Sequence, residues 1–172
     1  TDINTLELSG TLTANAPLQK QGSGKLRLTG NNIWNAKIFH TEGILSGTTN
    51  SLKTAIDTPT DVLSILPVPI EIIEFDQNFD GSYDHAINPA PGAPPPPGFG
   101  TTNNPHTNRS RHSALVKKGS GKVTLTQATE LGFGYTDVQA GTLALQSIAK
   151  IGTGSLNVTT NARLDMSNSS LQ

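Results

Sequence analysis

The densest group of potential metal ligands in this 172-residue chain is the segment Asp76-Gln77-Asn78-Phe79-Asp80-Gly81-Ser82-Tyr83-Asp84. Oxygen-bearing side chains recur there at alternate positions, as in the first nine positions of a calcium-binding loop, where they converge on one hard cation. The candidate calcium ligands are Asp76, Asn78, Asp80, Ser82 and Asp84.

The calcium interpretation has an alternative. The bidentate Glu of such a loop is missing, because Ile87 stands at its position, so a carboxylate such as Glu71 or Glu74 would have to join the site. The same residues also fit an Asx-rich turn whose carboxylates are solvated. Calcium is therefore the one cofactor that the sequence predicts, and a purely structural turn stays open beside it.

Three aromatic residues form a second candidate site. Trp34, Tyr83 and Phe99 could stack on sugar rings beside the segment 48–112. Glycoside chemistry would also need a pair of carboxylates across a cleft, and no spacing among the Asp and Glu residues selects such a pair. An extracellular carbohydrate-binding or carbohydrate-degrading protein is thus the alternative function, with its site in 48–112.

Composition excludes several classes of protein. The formal net charge is −1 and no extended Lys/Arg cluster occurs, which argues against a nucleic-acid partner. The absence of cysteine removes disulfide frameworks, thiol nucleophiles and thiolate metal sites. No apolar run reaches the roughly 20 residues of a membrane helix, so no transmembrane segment is expected. The chain begins at Thr1 without a charged and apolar leader, and we interpret it as a processed or trimmed product, from which a secretion signal could already have been removed.

Most of the chain has the period of β-strands. Apolar residues alternate with polar ones across 3–47 and 113–172, as in Leu26/Leu28 and Val123/Leu125. Asn and Gly fill the gaps, which suits sharp corners between strands. We therefore predict an all-β fold that occupies 1–172 as a single domain.

The segment 48–112 interrupts this rhythm. Its first part, Ser51–Leu66, has partly helical spacing and permits a short helix cut by Pro59, and Val68–Phe75 fits a strand. The proline tract 89–98 favours extended polyproline II structure on the surface. We interpret 48–112 as a partly irregular, Pro-rich insertion, or excursion, between two regular parts.

A repeated phrase links the two regular parts. Lys20-Gln21-Gly22-Ser23-Gly24 precedes an alternating strand, and Lys118-Gly119-Ser120-Gly121 precedes another that leads to Gly141-Thr142-Leu143. A third, shorter copy starts at Gly152. Repeats of a strand and a turn imply stacked coils that share one core.

This phrase resembles the autotransporter-associated β-strand repeat of bacterial autotransporter passengers. The resemblance rests on the two Lys and Gly-rich copies, on Thr29-Gly30-Asn31-Asn32 with the aromatic Trp34, and on Thr136 to Leu145. It implies a right-handed parallel β-helix that is exported across an outer membrane, so we expect a secreted or cell-surface protein of a Gram-negative-type bacterium.

The sequence thus predicts a non-enzymatic extracellular structural module, such as a stalk, an adhesin segment or a self-stacking fibre subunit. A short β-helix leaves two open end coils, whose edge groups need a partner. The expected partners are a second copy stacked head to tail or the rest of a larger passenger, and a glycan or host-surface ligand.

Overall fold

The computed structural model of the chain describes residues 4–59, 71–90, 113–127, 135–146 and 155–168. Within these ranges the regular structure is entirely β, in seventeen strands. The first nine are β1 (Thr5–Leu8), β2 (Thr13–Ala14), β3 (Leu18–Lys20), β4 (Lys25–Leu28), β5 (Ile33–Trp34), β6 (Ile38–His40), β7 (Gly43–Gly47), β8 (Ile56–Pro59) and β9 (Glu71–Asp76). The others are β10 (Gly81–Tyr83), β11 (Ile87–Ala90), β12 (Ser113–Lys118), β13 (Lys122–Leu125), β14 (Tyr135–Val138), β15 (Thr142–Gln146), β16 (Leu156–Val158) and β17 (Arg163–Asn168).

Seven of these strands form one parallel sheet, here called sheet A, with the order β1-β4-β7-β9-β12-β14-β16. The spatial order of sheet A is also its order along the chain. The strands between visits form three further parallel sheets, β10-β13-β15-β17, β11-β8-β6-β3 and β2-β5. We number the visits to sheet A, each with the strands that follow it, as rungs 1 to 7.

The register of sheet A aligns equivalent residues of successive rungs. One core-facing row runs Leu6, Leu26, Leu45, Ile73, Leu115, Thr136 and Leu156, and the next runs Leu8, Leu28, Gly47, Phe75, Lys117, Val138 and Val158. The intervening positions lie on the opposite face of the sheet, because side chains alternate along a strand. The apolar members of the inner rungs are buried in one continuous core. The all-β prediction and the alternating strands of 3–47 and 113–172 are confirmed within the described residues.

The segment 48–112 contributes more to the fold than the sequence indicated. Strand β9 lies between β7 and β12 in sheet A, and β8 lies between β6 and β11. The described parts of the segment therefore continue the sheets and do not form an excursion from them. The strand predicted at Val68–Phe75 is confirmed over its described part, whereas the helix predicted from Ser51 is wrong over its described part, which contains strand β8 instead. The part of the proline tract from Pro91 onward lies outside the described residues.

The two copies of the repeated phrase occupy different corners. The first forms the corner between β3 and β4, where the chain enters sheet A. The second forms the corner between β12 and β13, where the chain leaves sheet A. Leu26 and Leu28 thus belong to sheet A, but their sequence counterparts Val123 and Leu125 belong to the four-stranded sheet β10-β13-β15-β17. The phrase specifies a local unit of strand, corner and strand, and not a fixed side of the stack.

Candidate functional site

The predicted calcium ligands lie along the corner at which rung 4 leaves sheet A. Asp76 ends β9, Asn78 and Asp80 are exposed in the turn, Ser82 is exposed in β10, and Asp84 follows β10. Asp76, Asn78 and Asp80 thus lie at the corner between β9 and β10, whereas Ser82 lies within β10 and Asp84 lies beyond it.

Two of these side chains brace the next rung. The backbone N–H of Ser120 donates to Asn78 Oδ1 at 3.0 Å, and the backbone N–H of Lys122 donates to Asp80 Oδ1 at 2.8 Å. The Asp76 carboxylate lies 3.5 Å from an Arg27 guanidinium nitrogen. Asn78 and Asp80 thereby satisfy backbone donors that the corner of rung 5 would otherwise expose.

Glu74, one of the two carboxylates that could complete a calcium site, is instead paired with Lys25 and Lys118. Within the described ranges, no group of three or more His, Asp and Glu residues is arranged to hold a metal ion. The calcium site stays a prediction, and the structure shows what its candidate residues do for the corner.

Glu74 is the centre of a buried charge network that joins four rungs. Its Oε1 atom lies 2.5 Å from Lys25 Nζ and accepts a 2.7 Å hydrogen bond from the Ser46 hydroxyl, while Lys118 Nζ lies 2.8 Å from Oε2. The Glu74 side chain is only 3% exposed. Burial raises the pKa of the Glu74 carboxyl. The hydrogen bonds from Lys118, Lys25 and Ser46 together lower this pKa by more than burial raises it, so the net pKa lies below its ordinary value.

Two buried lysines close the corners of the repeated phrase. Lys20 Nζ donates to the carbonyl oxygens of Gly22 at 2.6 Å and of Glu42, one rung on, at 2.8 Å. Lys117 Nζ donates in the same way to the carbonyl oxygens of Gly119 at 2.7 Å and of Ala140 at 3.3 Å. Each ammonium thus ties its own corner to the next, where backbone carbonyls have few other donors.

These contacts correct the alignment of the second copy. The counterpart of Lys20 is Lys117 and not Lys118, whose ammonium binds Glu74 instead. Burial lowers the pKa of both Lys20 and Lys117, and the neighbouring carboxylates of Glu42 and Asp76 offset this in part.

Glycine is required where these corners stack. Gly43 and Gly141 have φ angles of +77° and +65°, which L side chains rarely adopt. A Cβ on Gly43 would also lie 2.5 Å from the Gly22 carbonyl oxygen, and one on Gly141 would overlap the Gly121 carbonyl oxygen. The corners therefore pack backbone against backbone.

Asn32, from the Thr-Gly-Asn-Asn phrase, links three rungs. Its Oδ1 atom accepts the backbone N–H of Leu12 at 2.9 Å, and its Nδ2 atom donates to the Ser51 carbonyl oxygen at 3.0 Å. Trp34 Nε1 donates to the same carbonyl oxygen at 2.8 Å. Sequence reasoning did not assign a role to Asn32 or Lys117, although their places in the repeated phrase were the available signal.

The aromatic residues predicted to stack on sugars are not brought together. Tyr83 is 1% exposed, its hydroxyl donates to the Thr54 carbonyl oxygen at 2.5 Å, and its ring packs edge-on against Phe75. The Tyr83 ring therefore lies in the core and offers no face to a ligand. Trp34 is partly buried in rung 2, and Phe99 lies outside the described residues.

His40 is a fully buried titratable group that sequence reasoning left without a role. Neither ring nitrogen makes a hydrogen bond, although the backbones of Ile72 and Gly43 approach the ring. Burial and the nearby Lys20 ammonium lower the pKa of His40 to about 4, and the two backbone neighbours offset only part of this. The imidazole is therefore neutral in the folded protein near pH 7.

Core-facing residues become exposed at the two ends of sheet A. Leu6 and Leu8 in β1 are 60% and 37% exposed, and Leu156 and Val158 in β16 are 44% and 39% exposed. A groove of about 480 Å³ opens beneath β1 and is lined by residues that include Leu6, Leu8, Leu18 and Leu26. Of the six large hydrophobic side chains that are exposed in the described part of the chain, four lie on the two end strands of sheet A, and the other two are Ile33 and Phe79.

Comparisons with family models, with curated proteins and with solved structures found no match to this chain. No helix long and apolar enough to cross a membrane occurs in the part of the chain that the structure describes.

Proposed function

We propose that this chain is a non-enzymatic structural module of a secreted, autotransporter-like β-helix protein, displayed at the surface of a Gram-negative-type bacterium as a stalk, an adhesin segment or a fibre subunit. The observation that carries the proposal is the order of sheet A, in which each return of the chain pairs in parallel with the preceding return. Such a path is the one expected of a parallel β-helix, and parallel crossovers are overwhelmingly right-handed.

The roles of the buried polar groups support a structural function. Lys20, Lys117, Asn32 and Glu74 each bind groups on at least one other rung. Their charges and hydrogen bonds hold rungs in register, which is the demand placed on an elongated scaffold. All four side chains are buried, whereas residues of a binding or catalytic cleft would have to be accessible to a ligand.

The exposed end rungs support a module in which sheet A is extended by further strands along its stacking axis. An unpaired strand edge above an apolar core favours pairing with a further strand. Under this proposal that strand comes from further rungs of a larger passenger or from another copy of the chain.

A display experiment tests the proposal. The chain is placed between an export signal and an outer-membrane barrel in a Gram-negative host, with an epitope tag ahead of Asn4. We expect the tag to be labelled on intact cells and the rungs to resist added protease. The matched Gly141→Ala variant should lose both properties, because it blocks a stacked corner. Retention inside the cell by the unaltered chain, or depolymerisation of a polysaccharide that Asp76→Ala abolishes, would contradict the proposed function.

A further inference from the structure

We propose that the chain stacks head to tail on a second copy of itself, with β16 of one copy pairing in parallel with β1 of the next. This inference rests on the proposed function and names the partner and the register. Sheet A would then continue across the junction without a break, because both of its end strands run in the same direction.

The rows of sheet A fix the register. Leu6 begins the row that ends at Leu156, and Leu8 begins the row that ends at Val158. Stacking in this register covers all four exposed apolar side chains, and those of Leu156 and Val158 enter the groove beneath β1. Burial of apolar area of this kind is the main favourable term in association.

The polar row on the opposite face matches as well. It begins at Glu7 and ends at Asn157, so the junction sets an amide against a carboxylate. Asn157 already makes that pairing within the chain, where its Nδ2 atom donates to Asp137 Oδ1 at 2.7 Å. An amide NH₂ group has two N–H donors, so the second N–H of Asn157 can donate to the Glu7 carboxylate of the neighbouring copy.

The backbone supplies a matching hydrogen bond at the corner. The N–H of Thr29 donates to the Leu8 carbonyl oxygen at 3.1 Å, and the N–H of Thr159 donates to the Val138 carbonyl oxygen at 3.0 Å. Both bonds link the residue that follows a sheet A strand to the preceding rung. The same rule places the Ser9 N–H of one copy opposite the Val158 carbonyl oxygen of the other.

Gly10 gives independent support for a rung beneath β1. A Cβ on Gly30, one rung later, would overlap the Gly10 carbonyl oxygen, so stacking explains that glycine. Gly10 occupies the same position, yet no described atom lies within 4 Å of where its Cβ would be, and its φ is not left-handed. In the proposed register the backbone at Thr160 of the neighbouring copy lies beneath Gly10 and excludes a side chain there.

Cysteine crosslinking tests the register in a chain that has no cysteine of its own. Neighbouring strands lie about 4.8 Å apart, within the range that a disulfide spans. The double variant Leu6→Cys/Leu156→Cys should therefore give a ladder of covalent oligomers on mild oxidation. The matched variant Glu7→Cys/Leu156→Cys should not, because a shift of one residue points the two thiols to opposite faces. Absence of the ladder, or equal ladders from both variants, would overturn the proposal.

Gly10→Ala tests the same junction without touching the core. We expect its melting temperature at low concentration to be unchanged and its self-association, measured by sedimentation velocity, to weaken by about tenfold or more. Unchanged self-association would also overturn the proposal. Gly30→Ala separates the two levels of failure: if it lowers the melting temperature while crosslinking fails, the rungs are stacked and only the partner is wrong. If Gly30→Ala has no effect, the stacked fold behind the proposed function fails.

Discussion

Protonation of His40 should make the stability of the stack fall steeply in mild acid. The pKa of the buried imidazole is about 4 in the folded protein, against 6.5 in an unfolded chain. As the pH falls below 6.5, the unfolded chain takes up a proton that the folded protein cannot yet accept. The stabilisation from the neutral ring is therefore complete above pH 6.5, is lost progressively between pH 6.5 and pH 4, and does not change further below pH 4.

The size of this loss follows from the two pKa values. Each pKa unit corresponds to about 1.4 kcal/mol, so the interval gives about 3 kcal/mol, and the slope is about 1.4 kcal/mol per pH unit. His40→Gln carries no titratable ring, so its difference from the unaltered protein isolates this contribution. Urea unfolding from about pH 7.5 to about pH 4, followed by the fluorescence of Trp34, should show that difference shifting by about 3 kcal/mol.

The matched control is His85→Gln, since the His85 side chain is 38% exposed and its ring lies edge-on to the Tyr83 ring. We expect this variant to keep the steep acid loss of the unaltered protein. Parallel stability curves for the unaltered protein and His40→Gln across this pH range would refute the reasoning.

Three further substitutions test the contacts between rungs, each by the free energy of unfolding in urea. Asn32→Ala should lower it by about 2 kcal/mol through the loss of two hydrogen bonds, whereas the exposed neighbour in Asn31→Ala should change it little, and equal losses would contradict the assignment. Glu74→Gln should cost about 3 kcal/mol at neutral pH, because two lysines lose a buried carboxylate, and a neutral effect would remove the network from the account. Asp80→Ala should cost about 1 kcal/mol with or without a chelator, whereas a loss seen only in calcium would favour the ion.

The alternation of apolar residues was enough to predict the strands of the regular parts. Leu26, Leu28, Val123 and Leu125 all face the core, as the period of two implied. That period depends only on which side chains point inward, which a sequence displays directly. It does not determine which sheet a strand joins, so the shift between the two copies of the phrase was not predictable from them.

The first strand of rung 4 was predicted, but its corner and its continuation into the other sheets were not, because that corner is built without the repeated phrase. Gln77 takes the place of a glycine contact: its Oε1 atom accepts the Thr49 backbone N–H at 2.7 Å, and its Nε2 atom donates to the Phe79 carbonyl oxygen at 2.9 Å. The core of this rung is filled by Phe75 and Tyr83 in place of paired leucines. Such substitutions of side-chain bonds for backbone stacking leave no periodic signal.

The sequence identified the residues of the candidate site, but it did not predict their hydrogen bonds to the next rung. Three of the alternating oxygen-bearing residues, Asp76, Asn78 and Asp80, lie at the corner between β9 and β10. Their partners Ser120 and Lys122 lie about 40 residues away in the sequence, and only the stacking brings them together. A sequence pattern within one loop does not show which backbone groups of the neighbouring rung its side chains will bind.

A crystal structure of the chain tests the central claim most directly. We predict seven parallel strands of one sheet in chain order, coiling right-handed, with Glu7, Arg27, Ser46 and Glu74 aligned in a single row on the face opposite the core-facing rows. Antiparallel neighbours in that sheet, or a spatial order that departs from the order along the chain, would contradict the account.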